Sequence, residues 1–251
     1  MEISKHQSNK SSKRCGSIPL EMHADLTQRA LVNSVAQDWI PSPQSGVEKC
    51  VLERGGKHAT RATSLVRMAP GSTLPTRKSN LGEEVLVLEG VFSCETGDLS
   101  SGTYARIPQG SDHAPSSAKG AVIMVKLRQM DPHDKNTVHI NTQDPSGWQI
   151  GRIGERVLPL FVSRRETVSM LDWEPGCSFA TQTLAGGAEY LVLDGQFEDE
   201  DNVYKAGTWL RLPAGSRQTI STKSGARIWR KLGHLAPQTR QIVPDALWLK
   251  R

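Results

Sequence analysis

From Ala62 onward the chain alternates short apolar runs with turns built on glycine and proline. Ala62-Thr63-Ser64-Leu65-Val66-Arg67-Met68 runs into Pro70-Gly71, and Glu84-Val85-Leu86-Val87-Leu88 into Glu89-Gly90. Thr103-Tyr104-Ala105-Arg106-Ile107 ends at Pro108-Gln109-Gly110, and Ala121 to Leu127 follows Lys119-Gly120. Runs of this length, separated by turn residues at intervals of about ten, predict the strands of a β-sandwich or barrel. Before them, residues 1–20 are polar and rich in Ser and Lys, and read as a disordered leader. An arm from about Ala24 to Val47 carries one expected short helix over Leu26–Val35, stopped by Trp39-Ile40-Pro41-Ser42-Pro43.

The same text is written twice. Gly71, Arg77, Ser79, Glu83, Gly90, Gly102, Pro108, Gly110 and His113 have counterparts one period, 105 residues, later: Gly176, Gln182, Leu184, Ala188, Gly195, Gly207, Pro213, Gly215 and Gln218. Glycines and prolines recur, whereas the side chains between them change. A period this long is a duplicated domain, not a solenoid. The sequence therefore divides into a leader (1–20), a first domain (21–130), a connector (131–148), a second domain (149–237) and a tail (238–251).

Composition narrows the function classes. Gly 22 and Pro 14 are too many for a helical bundle. No apolar run reaches the roughly 20 residues that span a bilayer, and the first residues hold no apolar signal core. The formal charge of +5 comes partly from Lys5, Lys10, Lys13 and Arg14 in the leader, and no basic stripe studded with aromatics follows. A solvated tail explains it better than nucleic acid does. Cys15, Cys50, Cys94 and Cys177 form no C-x-x-C pair, which fits reduced thiols in a cytoplasmic protein. Cys94 lies beside Glu95, an unfavourable setting for a thiolate.

The intervals resemble the two cupin motifs, Gly-x5-His-x-His-x3-Glu-x6-Gly and Gly-x5-Pro-x-Gly-x2-His-x3-Asn. More narrowly, Trp39 to Pro43, Arg61 to Arg67, Gly82-Glu83-Glu84, Val87 to Phe92 and Gly110 to Pro115 are similar to ChrR-like cupins, the sensing domain of zinc-dependent anti-sigma factors. The resemblance implies an all-β protein: two jelly-roll barrels in tandem with a short N-terminal arm. In such barrels three His and one Glu hold a divalent metal, a set that suits Zn or Fe with open positions for substrate.

Carried over residue by residue, that site is depleted. In the first repeat the His-x-His pair is Arg77 and Ser79, and only Glu83 and His113 stand at ligand positions. In the second the four positions hold Gln182, Leu184, Ala188 and Gln218, and no metal is expected there. Two readings of the first barrel compete. Arg77 replaces the metal and pairs with Glu83, or Glu83 and His113 recruit a further ligand such as His58 to a weak Zn or Fe site. Tyr104/Arg106 and Trp209/Arg211 occupy equivalent strand positions; packing is the first explanation, and an inward arginine that binds an anion the second. Adjacent Glu83 and Glu84 face opposite sides of a strand and cannot form an acid–base dyad. His133 and His139 fall in the connector, and His234 at the end of the last strand reads as structural.

The ligand-pocket candidates are thus Arg77, Ser79, Glu83, His113, Tyr104 and Arg106, with no catalytic residue and no cofactor assigned. The expected function is that of a cytoplasmic bicupin that binds a small organic ligand or regulates, its metal site largely lost. The alternative is a metal-dependent dioxygenase or isomerase acting on a small organic anion in the first barrel. A sigma-factor partner is disfavoured, since nothing matches the His-x3-Cys-x2-Cys signature of the zinc anti-sigma domain. Neither nucleic acid nor membrane is expected as a partner, and a homodimer stays open.

Overall fold

The computed structural model describes residues 18–55, 61–75, 77–78, 81–110 and 112–236. Most of the expected leader and all of the expected tail lie outside them, as do His58 and Ser79. In chain order come β1 (Ala30–Asn33), β2 (Ile40–Pro41), β3 (Val47–Gly55), β4 (Arg61–Met68), β5 (Ser72–Thr73) and β6 (Arg77–Lys78). Then follow β7 (Glu83–Cys94), β8 (Gly97–Ser100), β9 (Thr103–Ile107), β10 (Asp112–His113), β11 (Ser116–Ser117) and β12 (Ala121–Leu127). The connector carries β13 (Val138–Asn141) and one 3-10 turn, Pro145–Gly147. The second repeat opens with β14 (Gln149–Ile150), β15 (Glu155–Val162), β16 (Thr167–Trp173) and β17 (Ser178–Leu184). It closes with β18 (Ala188–Glu198), β19 (Val203–Lys205), β20 (Thr208–Leu212), β21 (Ser216–Ser221) and β22 (Ala226–Leu232). Among the described residues no helix is long and apolar enough to cross a membrane.

The strands build two jelly-roll barrels. The main sheet of the first runs β13-β9-β7-β12-β4-β3-β2, and that of the second β1-β20-β18-β22-β16-β15-β14. Each barrel thus borrows its edge strand from the other repeat. β1, from the first repeat's arm, pairs Ala30 with Arg211, while β13, ahead of the second repeat, pairs Val138 with Arg106. This corrects the helix expected over Leu26–Val35. Ala30 and Val32 are buried while Leu31 and Asn33 are exposed, the period-two pattern of a half-buried strand, and pairing with β20 overrides the local helical preference.

The repeated glycines have a steric cause. Gly90 has φ +72° and a Cβ there would lie 2.0 Å from the Gly120 carbonyl oxygen; Gly195 has φ +67° and would meet the Gly225 oxygen at 2.2 Å. Only glycine fits both the left-handed backbone and the close approach of the neighbouring turn.

Three apolar clusters form the core. One fills the first barrel (Val66, Val85, Phe92, Ile123) and one the second (Trp173, Tyr190, Phe197, Ile228). The third lies between the barrels and joins Leu65, Leu86 and Met124 to Met170, Leu191, Trp209 and Trp229. Successive side chains of a strand point to opposite faces. Val85 and Val87 therefore enter the first lumen while Leu86 enters the seam, and Ile228 enters the second lumen while Trp229 enters the seam. With both faces covered, these strands read as almost continuous apolar runs.

Candidate functional sites

In the first barrel β6 and β10 form a two-stranded ribbon that sets Arg77 directly opposite His113. Four residues beyond Ser79, Glu83 opens β7 and is buried at 5% exposure. The sheet pattern puts Glu83 on the lumen side with Val85 and Val87, and Glu84 on the seam side. Among the described residues at the family's ligand positions the donors are one carboxylate and one imidazole, with a guanidinium-bearing residue facing that histidine in register, a poor fit for a resident dication.

The second barrel repeats this geometry with other chemistry. Gln182 stands opposite Gln218 across β17 and β21, as Arg77 does opposite His113. Gln218 is fully committed: its Oε1 accepts from the Tyr190 hydroxyl at 2.9 Å and its Nε2 donates to Asp199 Oδ2 at 2.9 Å. The Tyr204 hydroxyl donates to the other Asp199 oxygen at 2.7 Å. Burial raises Tyr190 to about 12, so it stays a neutral donor. Leu184 and Ala188 belong to the apolar core. Two hydrocarbon side chains and two amides do not fit a transition metal.

Tyr104 and Arg106 are not gathered with Arg77, Glu83 and His113. Both point into the seam between the barrels, Tyr104 with 0% and Arg106 with 1% exposure. The Tyr104 hydroxyl donates to Glu84 Oε2 at 2.9 Å. Arg106 lies 3.3 Å from Glu84, 3.0 Å from Glu166 and 2.9 Å from Asp134, with its guanidinium 3.6 Å above the Phe161 ring. Its charge is consumed inside the protein, so packing and pairing explain it.

Around these two residues runs an ionic network that sequence reading missed. Lys126 of the first barrel donates to both oxygens of Glu189 of the second, at 2.7 and 2.6 Å, and to Thr63 Oγ1 at 3.0 Å. Reciprocally, Lys231 of the second barrel pairs with Glu84 of the first, and with Glu166 at 3.0 Å. Trp209 Nε1 donates to Glu189 at 2.7 Å, and Arg211 pairs with Glu53 while donating to the Asp25 carbonyl at 2.8 Å. Burial alone would raise Glu84, but Lys231, then Arg106 and Lys126, outweigh it and hold the carboxyl at about 2. Glu189 is likewise held well below the carboxylate range: burial opposes ionisation, and the Lys126 ammonium, with His234, prevails. The signal was present in the sequence, because Glu84, Arg106 and Lys126 recur one period later as Glu189, Arg211 and Lys231.

His234 is a member of the same network. Its Nε2 stands 3.1 Å from Glu189 Oε2, and burial lowers its pKa, so the neutral tautomer protonated on Nε2 donates to the carboxylate. Cys50 is buried and pushed up to about 11 by desolvation, while Cys94 sits in its turn beside Thr96 Oγ1 at 3.0 Å. A groove of about 710 Å³ runs over the outside of the first barrel past Pro41, Glu48, Arg67, Glu89 and Lys119, and contains none of the six pocket candidates.

The family model of the ChrR cupin-like domain matches this chain twice, over residues 27–131 and 135–236. The chain belongs to the ChrR cupin-like family. Solved structures agree on the fold. Ylba from E. coli is 18% identical with a TM-score of 0.65, covering 86% of this chain and 96% of its own. A cupin 2 conserved barrel domain protein from Leptotrichia buccalis is 15% identical with a TM-score of 0.59, covering 84% and 98%. A deletion mutant of Bacillus subtilis oxalate decarboxylase OxdC is 12% identical with a TM-score of 0.58, covering 84% and 78%. Among curated proteins no sequence matches. At these identities the structures speak for the fold alone, and the family match for membership.

Proposed function

We propose that this ChrR-like bicupin is a cytoplasmic small-ligand-binding or regulatory protein whose cupin metal site is largely lost. One observation carries the reading: at the register pair where the family's ribbon histidine faces its partner strand, the second barrel has Gln182 opposite Gln218, with Gln218 locked by Tyr190 and Asp199. The barrel there is closed by hydrogen bonds among Tyr190, Gln218 and the Asp199 carboxylate. In the first barrel Arg77 takes the facing position, where its permanent charge opposes a dication. The ligand of that barrel is expected at Arg77, Ser79, Glu83 and His113, and an anionic group is what Arg77 would draw.

Elemental analysis of the purified full-length chain tests this. The expected result is well under one equivalent of Zn, Fe, Mn or Ni. One tightly held equivalent, lost in His113→Ala, would overturn the reading in favour of a metal-dependent enzyme working in the first barrel.

A further inference from the structure

Five buried cations are found among the described residues: Arg106, Lys126, Arg211, Arg230 and Lys231. The first three and Lys231 each hold a carboxylate. Arg230 holds none. It is 8% exposed, its Nε lacks any hydrogen-bond partner, and no ion pair reaches it among the described residues. It does not face the seam. On β22 the seam side carries Trp229 and Lys231, so Arg230 projects with Ile228 into the lumen of the second barrel. Its register neighbours on that face are Ser169 of β16 and Tyr190 of β18, both buried.

The first barrel shows what this position otherwise holds. There the equivalent residue is Val125, between Ser64 and Val85, and it packs in the apolar cluster of that barrel. The second barrel has replaced that valine with a guanidinium. Nearby, Glu155 is already spent. Arg152 lies 2.7 Å from one of its oxygens, and Trp173 Nε1 donates to the same oxygen at 2.9 Å. The second buried carboxylate of this barrel, Asp199, is likewise taken up by Gln218 and Tyr204, so Arg230 is left without a carboxylate of its own. Burial lowers Arg230 from the ordinary arginine value, with Tyr190 and Glu155 opposing only in part. An unpaired buried charge is costly, so a chain that keeps one gains from an anion that completes it.

We propose that the lumen of the second barrel is a binding site for a small monocarboxylate, gripped by the Arg230 guanidinium beside Ser169 and Tyr190. The planar fork of arginine matches the two oxygens of a carboxylate. A monoanion adds the least repulsion to a lumen that already holds Glu155 and Asp199, and the Ile228 and Leu232 side chains flanking Arg230 suit a short apolar body. This inference deepens the ligand-binding reading and rests on it, but it places a ligand where the family's metal pattern predicts none.

Isothermal titration calorimetry on the full-length chain, with formate, acetate, propionate and benzoate as probes and sulfate and phosphate as comparators, tests it. At least one monocarboxylate is expected to bind with one site per chain, and Arg230→Met to weaken it at least tenfold, on the order of the loss when a buried charge partner is truncated. Arg230→Lys should keep part of the affinity, which shows that charge and not folding is lost; near-ultraviolet circular dichroism checks the fold of both variants. The inference is overturned if no carboxylate binds, if Arg230→Met binds as the parent does, or if sulfate and phosphate bind as well as the carboxylates. Metal content measured on the same sample keeps the two failures apart. A full metal equivalent sinks the ligand-binding reading whatever Arg230 does, whereas absent carboxylate binding in metal-free protein sinks only this site.

Discussion

Lys126→Met is expected to destabilise the protein by about 3–5 kcal/mol, the range for breaking one half of a fully buried ion pair. Lys126 and Glu189 both have 0% side-chain exposure, and the lysine reaches both carboxylate oxygens. Methionine fills the same space but leaves the carboxylate, among the described residues, with Trp209 Nε1 and His234 as donors. Urea denaturation at neutral pH measures the loss. Its pH dependence gives a second readout. Glu84 is held at about 2, and Glu189 also lies below the ordinary value of 4.5. A carboxyl whose folded pKa is depressed contributes stability above its unfolded pKa and loses it as pH falls through the folded one. The parent should therefore lose stability from pH 4.5 downward. In Lys126→Met the stranded Glu189 takes up a proton more readily, so the gap between variant and parent should narrow on acidification. A neutral-pH loss below about 1 kcal/mol, or a gap that does not change with pH, would show that the pair holds little of the seam together.

The fold was largely legible because its determinants are local. Gly90 and Gly195 recur one period apart because each meets a backbone carbonyl that admits no side chain, and such constraints survive duplication. The strand runs at 62–68, 103–107 and 121–127 fall within β4, β9 and β12. What stayed hidden depends on which face of a strand meets which partner. Alternation separates Glu83 from Glu84, but with both faces buried it does not say which side is lumen and which is seam. For that reason the sequence alone groups Tyr104 and Arg106 with the pocket. Arg106 and Arg211 both face the seam and are held there by carboxylates, whereas Arg230 lies on the opposite face of β22 from Lys231. A direct comparison of Val125-Lys126 with Arg230-Lys231 marks the spot where the lumen changed character. The exchange of β1 and β13 between barrels was beyond reach, because a four-residue strand gives no sign of which of two equivalent edges it completes.

The double change Arg77→His with Ser79→His should convert the first barrel into a metal site. Residues directly opposed in an antiparallel ribbon have Cα atoms about 4.5–5.5 Å apart, so an imidazole at 77 can share an ion with His113, its register partner. A second imidazole two residues on and the Glu83 carboxyl at the start of β7 complete three nitrogens and one oxygen, a set that zinc accepts. Removing Arg77 also takes away the charge that repels a dication. The variant should take up one equivalent of zinc, and at a free concentration of about 100 times the dissociation constant the metal should add about 2.7 kcal/mol of stability. A chelator should return the melting temperature to that of the apo variant, and adding His113→Ala should abolish the uptake. Arg77→Ala alone separates loss of the charge from gain of ligands. If Arg77 neutralises Glu83 in the parent, that single change costs about 3–5 kcal/mol when the pair is fully buried, and the zinc of the double variant restores it. A well-folded double variant that binds no zinc would show that the first barrel has lost the geometry of the site along with its ligands.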